Sequence, residues 1–215
     1  QQAKGKYIAL CEGDDYWVDP YKLQKQVDFL EANPDYSIHS GLAITSDNKI
    51  IGNKNKSSFI LQDFYTRNNL ITCTILFRNT PLESKWFNNV TFGDWMLYVY
   101  VLKYFKNSKA YSDNNVLSFY RIHDGGIMQT LNEKSKLELA HVEHIYQIKK
   151  LTKCKFSDDD FFTINNYCIS LFRHYLKTKN IKLFRTTFIN LILSQNRFPL
   201  KSYLYYFYKS IKYKD

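Results

Sequence analysis

Glu12, Gly13, Asp14 and Asp15 follow directly on the short apolar run Tyr7 to Cys11. Clustered carboxylates are hard oxygen ligands that suit Mg²⁺ or Mn²⁺. Gly13 lets the backbone turn sharply and lets a ligand approach it closely. A divalent ion held there can in turn hold a diphosphate, which is the chemistry of an enzyme acting on a nucleotide-activated substrate. Gly-Asp-Asp by itself is also an ordinary turn sequence. The reading therefore depends on what else the chain supplies.

The elements around the turn have a definite order. Tyr7 to Cys11 reads as a fully buried strand. Asp19 reads as an N-cap and Pro20 as the first helical position. Leu23, Val27 and Leu30 then form the buried stripe of a helix that stops before Asn33-Pro34. Strand, acidic turn and helix in this order place the carboxylates at the carboxyl end of a strand, where open α/β sheets bind ligands. Further on, the pattern predicts a strand over 38–45 and a polar turn containing Ile50, Ile51 and Gly52. A short helix is expected over 62–69, a strand over 71–77, and a helix-like stretch containing Leu97, Val101 and Leu102. Beyond Gly126 the pattern turns helical, with candidates over 133–152, 158–177, 181–194 and 199–213.

The segment AKGKYIALCEGDDYWVDPYKLQKQVDFLEANPDY resembles the middle of a family 2 glycosyltransferase of the GT-A fold. Members of that family carry a similar Lys-Gly-Lys-Tyr-Ile-Ala stretch before an acidic metal-binding motif. Three further segments are similar in the same order. ITCTILFRN (71–79) resembles the strand before the acceptor region, FGDWMLYVYVL (92–102) the helix led by the catalytic base, and FYRIHDGG (119–126) the Tyr-Arg-x-His turn. The resemblance covers residues 3 to 128.

What it implies is carried over by position. Asp14 is the expected metal ligand, and Glu12 lies near the ribose or a metal-bound water; the Glu departs from the commoner Asp. Asp15, Arg121 and Tyr120 are the expected donor and diphosphate contacts, and His123 a metal or diphosphate contact. Asp94 is the expected general base, with Trp95 and Trp17 on the acceptor side. The implied fold is α/β, an incomplete GT-A, Rossmann-like sheet over 1–130, followed by a helical basic region over 131–215. The implied reaction is metal-dependent, inverting transfer from a nucleotide-sugar donor to a glycan or lipid-linked acceptor in cell-surface polysaccharide synthesis.

Each residue also has a plainer reading. Asp94 stands where an N-cap would, Trp95 is by type a core aromatic, and His123 sits in a polar turn. His141 and His144, three apart on a predicted helix, lack the pattern of a zinc site and read as a partly buried face. Two rival functions stay open: a metal-dependent phosphoryl or nucleotidyl transferase, and a noncatalytic membrane-surface or interaction module.

Composition sets the outer bounds. With 215 residues and 45% hydrophobic content, the chain can bury one substantial core with an appended helical part. Cys11, Cys73, Cys154 and Cys168 are widely spaced and read as reduced, which fits a cytoplasmic setting. No run approaches the roughly 18 apolar residues of a membrane span. The nucleoside-binding units that precede this segment in the resembling family are expected to be missing, so tight nucleotide-sugar binding is not expected of this chain alone. Residues 171–215 hold ten Lys and Arg against one Asp, a net +9 of the chain's formal +10. Interleaved with tyrosines, that tail suits peripheral contact with the inner face of an anionic membrane. A solvated face is the plain alternative, and nucleic-acid binding the least favoured.

Overall fold

Tyr7–Ala9 (β1) is the predicted apolar strand, shorter at its end than the sequence suggests and half-buried at the sheet edge rather than fully buried. The computed structural model describes residues 3–123, 125, 134–178 and 208. The remaining strands are Tyr16–Trp17 (β2), Tyr36–Thr45 (β3), Ile50–Ile51 (β4), Ser58–Phe59 (β5), Leu76–Arg78 (β6) and Lys109–Tyr120 (β7). The described helices are Lys22–Ala32 (α1), Gly93–Tyr104 (α2), Lys134–Thr152 (α3) and Asp158–Thr178 (α4). The fold is α/β. Contacts divide the chain into two units, Gln1–Gly126 and Ile127–Asp215.

The first unit is built on one mixed sheet in the order β1-β6-β3-β7-β2, with β4 paired to β3 and β5 to β7. Among the described strands only β3 and β7 run parallel, from Tyr36↔Lys109 to Thr45↔Tyr120. That long ladder is the spine on which both ends of the site are hung. Helix α1 covers the face bearing His39 and Tyr111: the Phe29 ring stacks on Tyr111 at 4.2 Å and meets His39 edge-on at 5.0 Å. Helix α2 is apolar almost all round, and seven of its residues are buried, among them Trp95, Tyr98 and Leu102. A helix of that kind belongs in a core. It contributes Trp95 and Met96 to an interior that also contains Ile38, Phe59, Phe64 and Ile75.

Five local expectations are corrected. The buried stripe of α1 is Lys22, Gln26 and Leu30, while Leu23 is 39% exposed. Gln26 is drawn inward because its amide donates to the Thr74 carbonyl at 2.8 Å, a backbone group that would otherwise be buried unpaired. Asp19 stands before the helix, its Oδ1 accepting from Tyr21 N at 2.8 Å, and Tyr21 is the capping position. Residues 62–69 make only a 3₁₀ turn, Leu61–Phe64, and the predicted strand over 71–77 is split into a 3₁₀ turn, Thr72–Thr74, and β6. Ile50 and Ile51 pair with Ile44 and Ala43 as a strand rather than a turn.

In the second unit, α3 and α4 pack on each other through Ile145, Ile148, Ile164 and Cys168, all buried. Ser157 and Asp160 cap α4 reciprocally: Ser157 N donates to Asp160 Oδ2 at 2.9 Å, and Asp160 N to Ser157 Oγ at 3.2 Å. The helices predicted over 181–194 and 199–213 lie outside the described residues.

Candidate active site

The antiparallel pairing of β2 with β7, Tyr16↔Phe119 and Trp17↔Ser118, brings the end of β7 alongside the acidic turn. Tyr16 and Phe119 stack there at 4.7 Å. From that register the rest of the contact follows. Arg121 N donates to Asp15 Oδ1 at 2.8 Å, Arg121 Nε to the Asp14 carbonyl at 2.8 Å, and His123 Nε2 meets Asp14 Oδ2 at 2.7 Å. Ile122 N donates to Ser46 Oγ at 3.0 Å, which fixes the other side of the strand end.

The His123 ring has a defined polarity. Its Nδ1 accepts from Gly125 N at 3.2 Å, so the ring proton sits on Nε2 and is donated to Asp14. In this arrangement the His123 ring engages the Asp14 carboxylate directly. The hydrogen bond from His123 is the first cause holding the Asp14 carboxyl below its ordinary range, followed by backbone hydrogen bonding. Asp15, through Oδ1, pins β7 to the turn. Glu12 behaves oppositely to Asp14: burial holds its carboxyl above the ordinary range, and the charges of Asp15, Asp94 and Asp14 push the same way. Glu12 thus lies within reach of the charges of the other three carboxylates. Tyr120 is affected in the same way, its phenol raised first by burial and then by Asp15, Glu12 and Asp14.

Asp94 does not cap its helix. The capping position of α2 is Phe92, and Asp94 lies in the first turn, where a carboxylate is favoured by the helix dipole. Its Oδ2 accepts from Asn68 Nδ2 and from Thr72 Oγ1, both at 2.9 Å. Two neutral donors on one oxygen leave Oδ1 as the oxygen turned to other work. Asn68 and Thr72 were not legible as site residues, since they fall in stretches that read as helix and strand.

The two tryptophans separate. Trp95 is only 1% exposed and donates from Nε1 to the Phe64 carbonyl at 2.7 Å, so it packs beneath Asp94 and does not form the expected acceptor wall. Trp17 keeps 37% of its surface exposed, donates to the Cys73 carbonyl at 3.1 Å, and lies 4.5 Å under the Lys22 ammonium. His141 stacks on Tyr167 at 5.2 Å, and His144 is buried, with burial lowering its pKa to about 4; both serve the helix pair.

Among the described residues no three His, Cys, Asp or Glu side chains converge as a ready-made metal cage. The donors present, an exposed Asp14 with Glu12 nearby, fit Mg²⁺ or Mn²⁺ in the manner usual for phosphate substrates. Such ions take one or two protein carboxylates and complete their shell with water and phosphate oxygens.

No family model matches the chain. A UDP-Glc:α-D-GlcNAc-diphosphoundecaprenol β-1,3-glucosyltransferase of Escherichia coli is 30% identical over 126 residues, covering 58% of this chain and 49% of that protein. Part of the chain is thus similar to a sugar transferase. An uncharacterized protein of Mycobacterium tuberculosis is 35% identical over 107 residues, covering 45% of this chain and 30% of its own length. The chain spans half or less of the curated relatives it matches. Among solved structures, S. aureus TarS in complex with UDP-GlcNAc aligns at a TM-score of 0.42 and 13% identity, over 92% of this chain and 71% of that one.

Proposed function

We propose that the chain carries the metal side and the acceptor side of a family 2, GT-A glycosyltransferase. It would move a sugar from a nucleoside-diphosphate donor to a glycan or lipid-linked acceptor, with inversion, in cell-surface polysaccharide synthesis. The observation that supports this most is the way the acidic turn is tied to the end of β7, Asp14 to His123 and Arg121 and Asp15 to Arg121, with Glu12 within reach of the charges of Asp15, Asp94 and Asp14. The sequence similarity to a glucosyltransferase points the same way.

On this reading each group has one task. Asp14, with Glu12 near it, holds Mg²⁺ or Mn²⁺, which when bound stabilises the charge growing on the departing diphosphate. Arg121 Nη atoms and Tyr120 supply donors to phosphate oxygens at the end of β7, and His123 orients the Asp14 carboxylate beside the metal. Asp94 takes the acceptor hydroxyl's proton on Oδ1 while Asn68 and Thr72 hold Oδ2. One base opposite one leaving group implies a single displacement. Peripheral contact of the basic tail with an anionic membrane belongs to the same reading, since it would bring a lipid-linked acceptor to the site.

The test is nucleoside diphosphate release from a panel of nucleotide sugars by the full-length gene product. Asp94→Asn is expected to cost on the order of 10²- to 10⁴-fold in kcat, and Asp14→Ala to abolish transfer, with circular dichroism unchanged. Transfer undiminished in Asp94→Asn overturns the base assignment, and release of a nucleoside monophosphate overturns sugar transfer altogether.

A further inference from the structure

A groove of about 610 Å³ opens between the loop after β4 and the segment that precedes the Thr72–Thr74 turn, lined by residues from Ile50 to Asn55 and from Asn68 to Ile71. Its size falls within the usual range for small-molecule sites. Four of its side chains are asparagines, Asn53, Asn55, Asn68 and Asn69, and Lys54 is its one charged group. Several of these amides hold the walls in place. Asn53 Oδ1 accepts from the backbone N–H of Asn55 and Lys56 at 3.1 and 3.0 Å, and Asn69 Nδ2 donates to the Asp63 carbonyl at 2.7 Å. Gly52, at φ 118°, lets the loop lie on β3: a side chain there would stand 2.8 Å from Leu42 Cδ2. The walls are thus built rather than loose.

These bonds engage Asn53 only through its oxygen and Asn69 only through its nitrogen. The remaining amide groups present donors and acceptors side by side, the pairing that vicinal hydroxyls of a sugar need. Ile50 and Ile71 supply apolar surface for the C–H face of a ring. Asn68 joins the groove to the reaction: it lines the wall, its Nδ2 donates to Asp94 at 2.9 Å and its Oδ1 accepts from Leu70 N at 3.2 Å, so it reaches a ligand only through its second N–H and second lone pair. Thr72, the other donor to Asp94, follows the lining residue Ile71 directly.

We propose that this groove is the subsite for a neutral, hydroxyl-rich sugar ring of the acceptor, and that Asn68 is the residue shared between acceptor binding and the positioning of Asp94. The inference rests on the transferase reading and adds the class of acceptor that the site takes. With no carboxylate in the lining and amides rather than cations dominating it, a neutral pyranoside is preferred over a uronic acid.

The test needs neither donor nor turnover. The ¹⁵N-labelled chain is titrated with methyl β-D-glucopyranoside, methyl N-acetyl-β-D-glucosaminide and methyl β-D-glucuronide at millimolar concentration. Expected are amide shifts confined to residues 50–55 and 68–71 with at least one neutral glycoside, and a rise in its Kd of roughly tenfold in Asn55→Ala, the cost of about one hydrogen bond. Shifts that are absent, that lie elsewhere, or that are strongest with the glucuronide overturn the proposal. Glycoside binding in the groove of a protein that transfers no sugar would sink the transferase reading alone.

Discussion

Gln26 shows how much one buried amide can decide. Its oxygen accepts from Lys22 Nζ at 2.8 Å and its nitrogen donates to the Thr74 carbonyl, so the nitrogen facing His39 Nδ1 at 3.1 Å is a donor. His39 must then accept on Nδ1 and keep its proton on Nε2, a neutral ring whose pKa burial lowers to about 4. Lys22 itself is 1% exposed, and burial lowers its pKa from 10.5 to about 8. Below about pH 8 the ammonium is charged in both states, and folding carries the full cost of burying it. Between 8 and 10.5 the unfolded chain binds more protons, so this group makes stability rise with pH in that window. The rise amounts to about 3 kcal/mol at most. Lys22→Met should flatten it, read as the difference between the two proteins in urea unfolding across that range. An unchanged slope would show that Lys22 is not the group titrating.

At the scale of elements, the β3–β7 ladder tolerates little. Its register shifts between Ser40 and Leu42, and there Gly41 lets the chains approach. A methyl at Gly41 would stand 2.7 Å from Leu117 Cγ and 3.0 Å from the Asn115 carbonyl, a backbone atom with no rotamer to change. Gly41→Ala is expected to cost about 1–3 kcal/mol and to lower Tm correspondingly; an unshifted Tm would mean the bulge relaxes freely. This ladder is also where the sequence is hardest to read. β7 is interrupted by Asp113, Asn114 and Asn115, which look like a loop, and no strand is predicted there; β3 on one side and β2 and β5 on the other hold the segment extended regardless. The acidic turn, α2 and the two helices of the second unit were legible, because each is a local pattern of caps, apolar spacing and turn residues. The hydrogen bonds of Asn68 and Thr72 to Asp94 were not, since they depend on tertiary register. Trp95 was misplaced because residue type does not say whether a ring faces a cleft or the core.

For the whole molecule, charge is the dominant asymmetry. No described helix is long and apolar enough to cross a membrane, and the basic tail is expected to act at a surface. Beyond the end of α4 it lies outside the described residues except for Tyr208, which is 60% exposed. Cosedimentation with phosphatidylglycerol vesicles, weakening as salt shortens the range of the attraction, is the expected outcome. Equal binding to phosphatidylcholine, or binding unaffected by salt, would exclude an electrostatic membrane contact.

The pair formed by Asp14 and His123 joins residues 109 positions apart. The acidic turn and α1 need only their neighbours in sequence, but His123 arrives only after β7 has found β3 and β2, the contacts slowest to close because loop closure precedes any reward. During synthesis the turn therefore exists before its partner has been made. A nascent chain halted short of residue 123 would have the carboxylates without the imidazole that orders them. The contact between the turn and the imidazole is thus among the last this unit is expected to make as it folds.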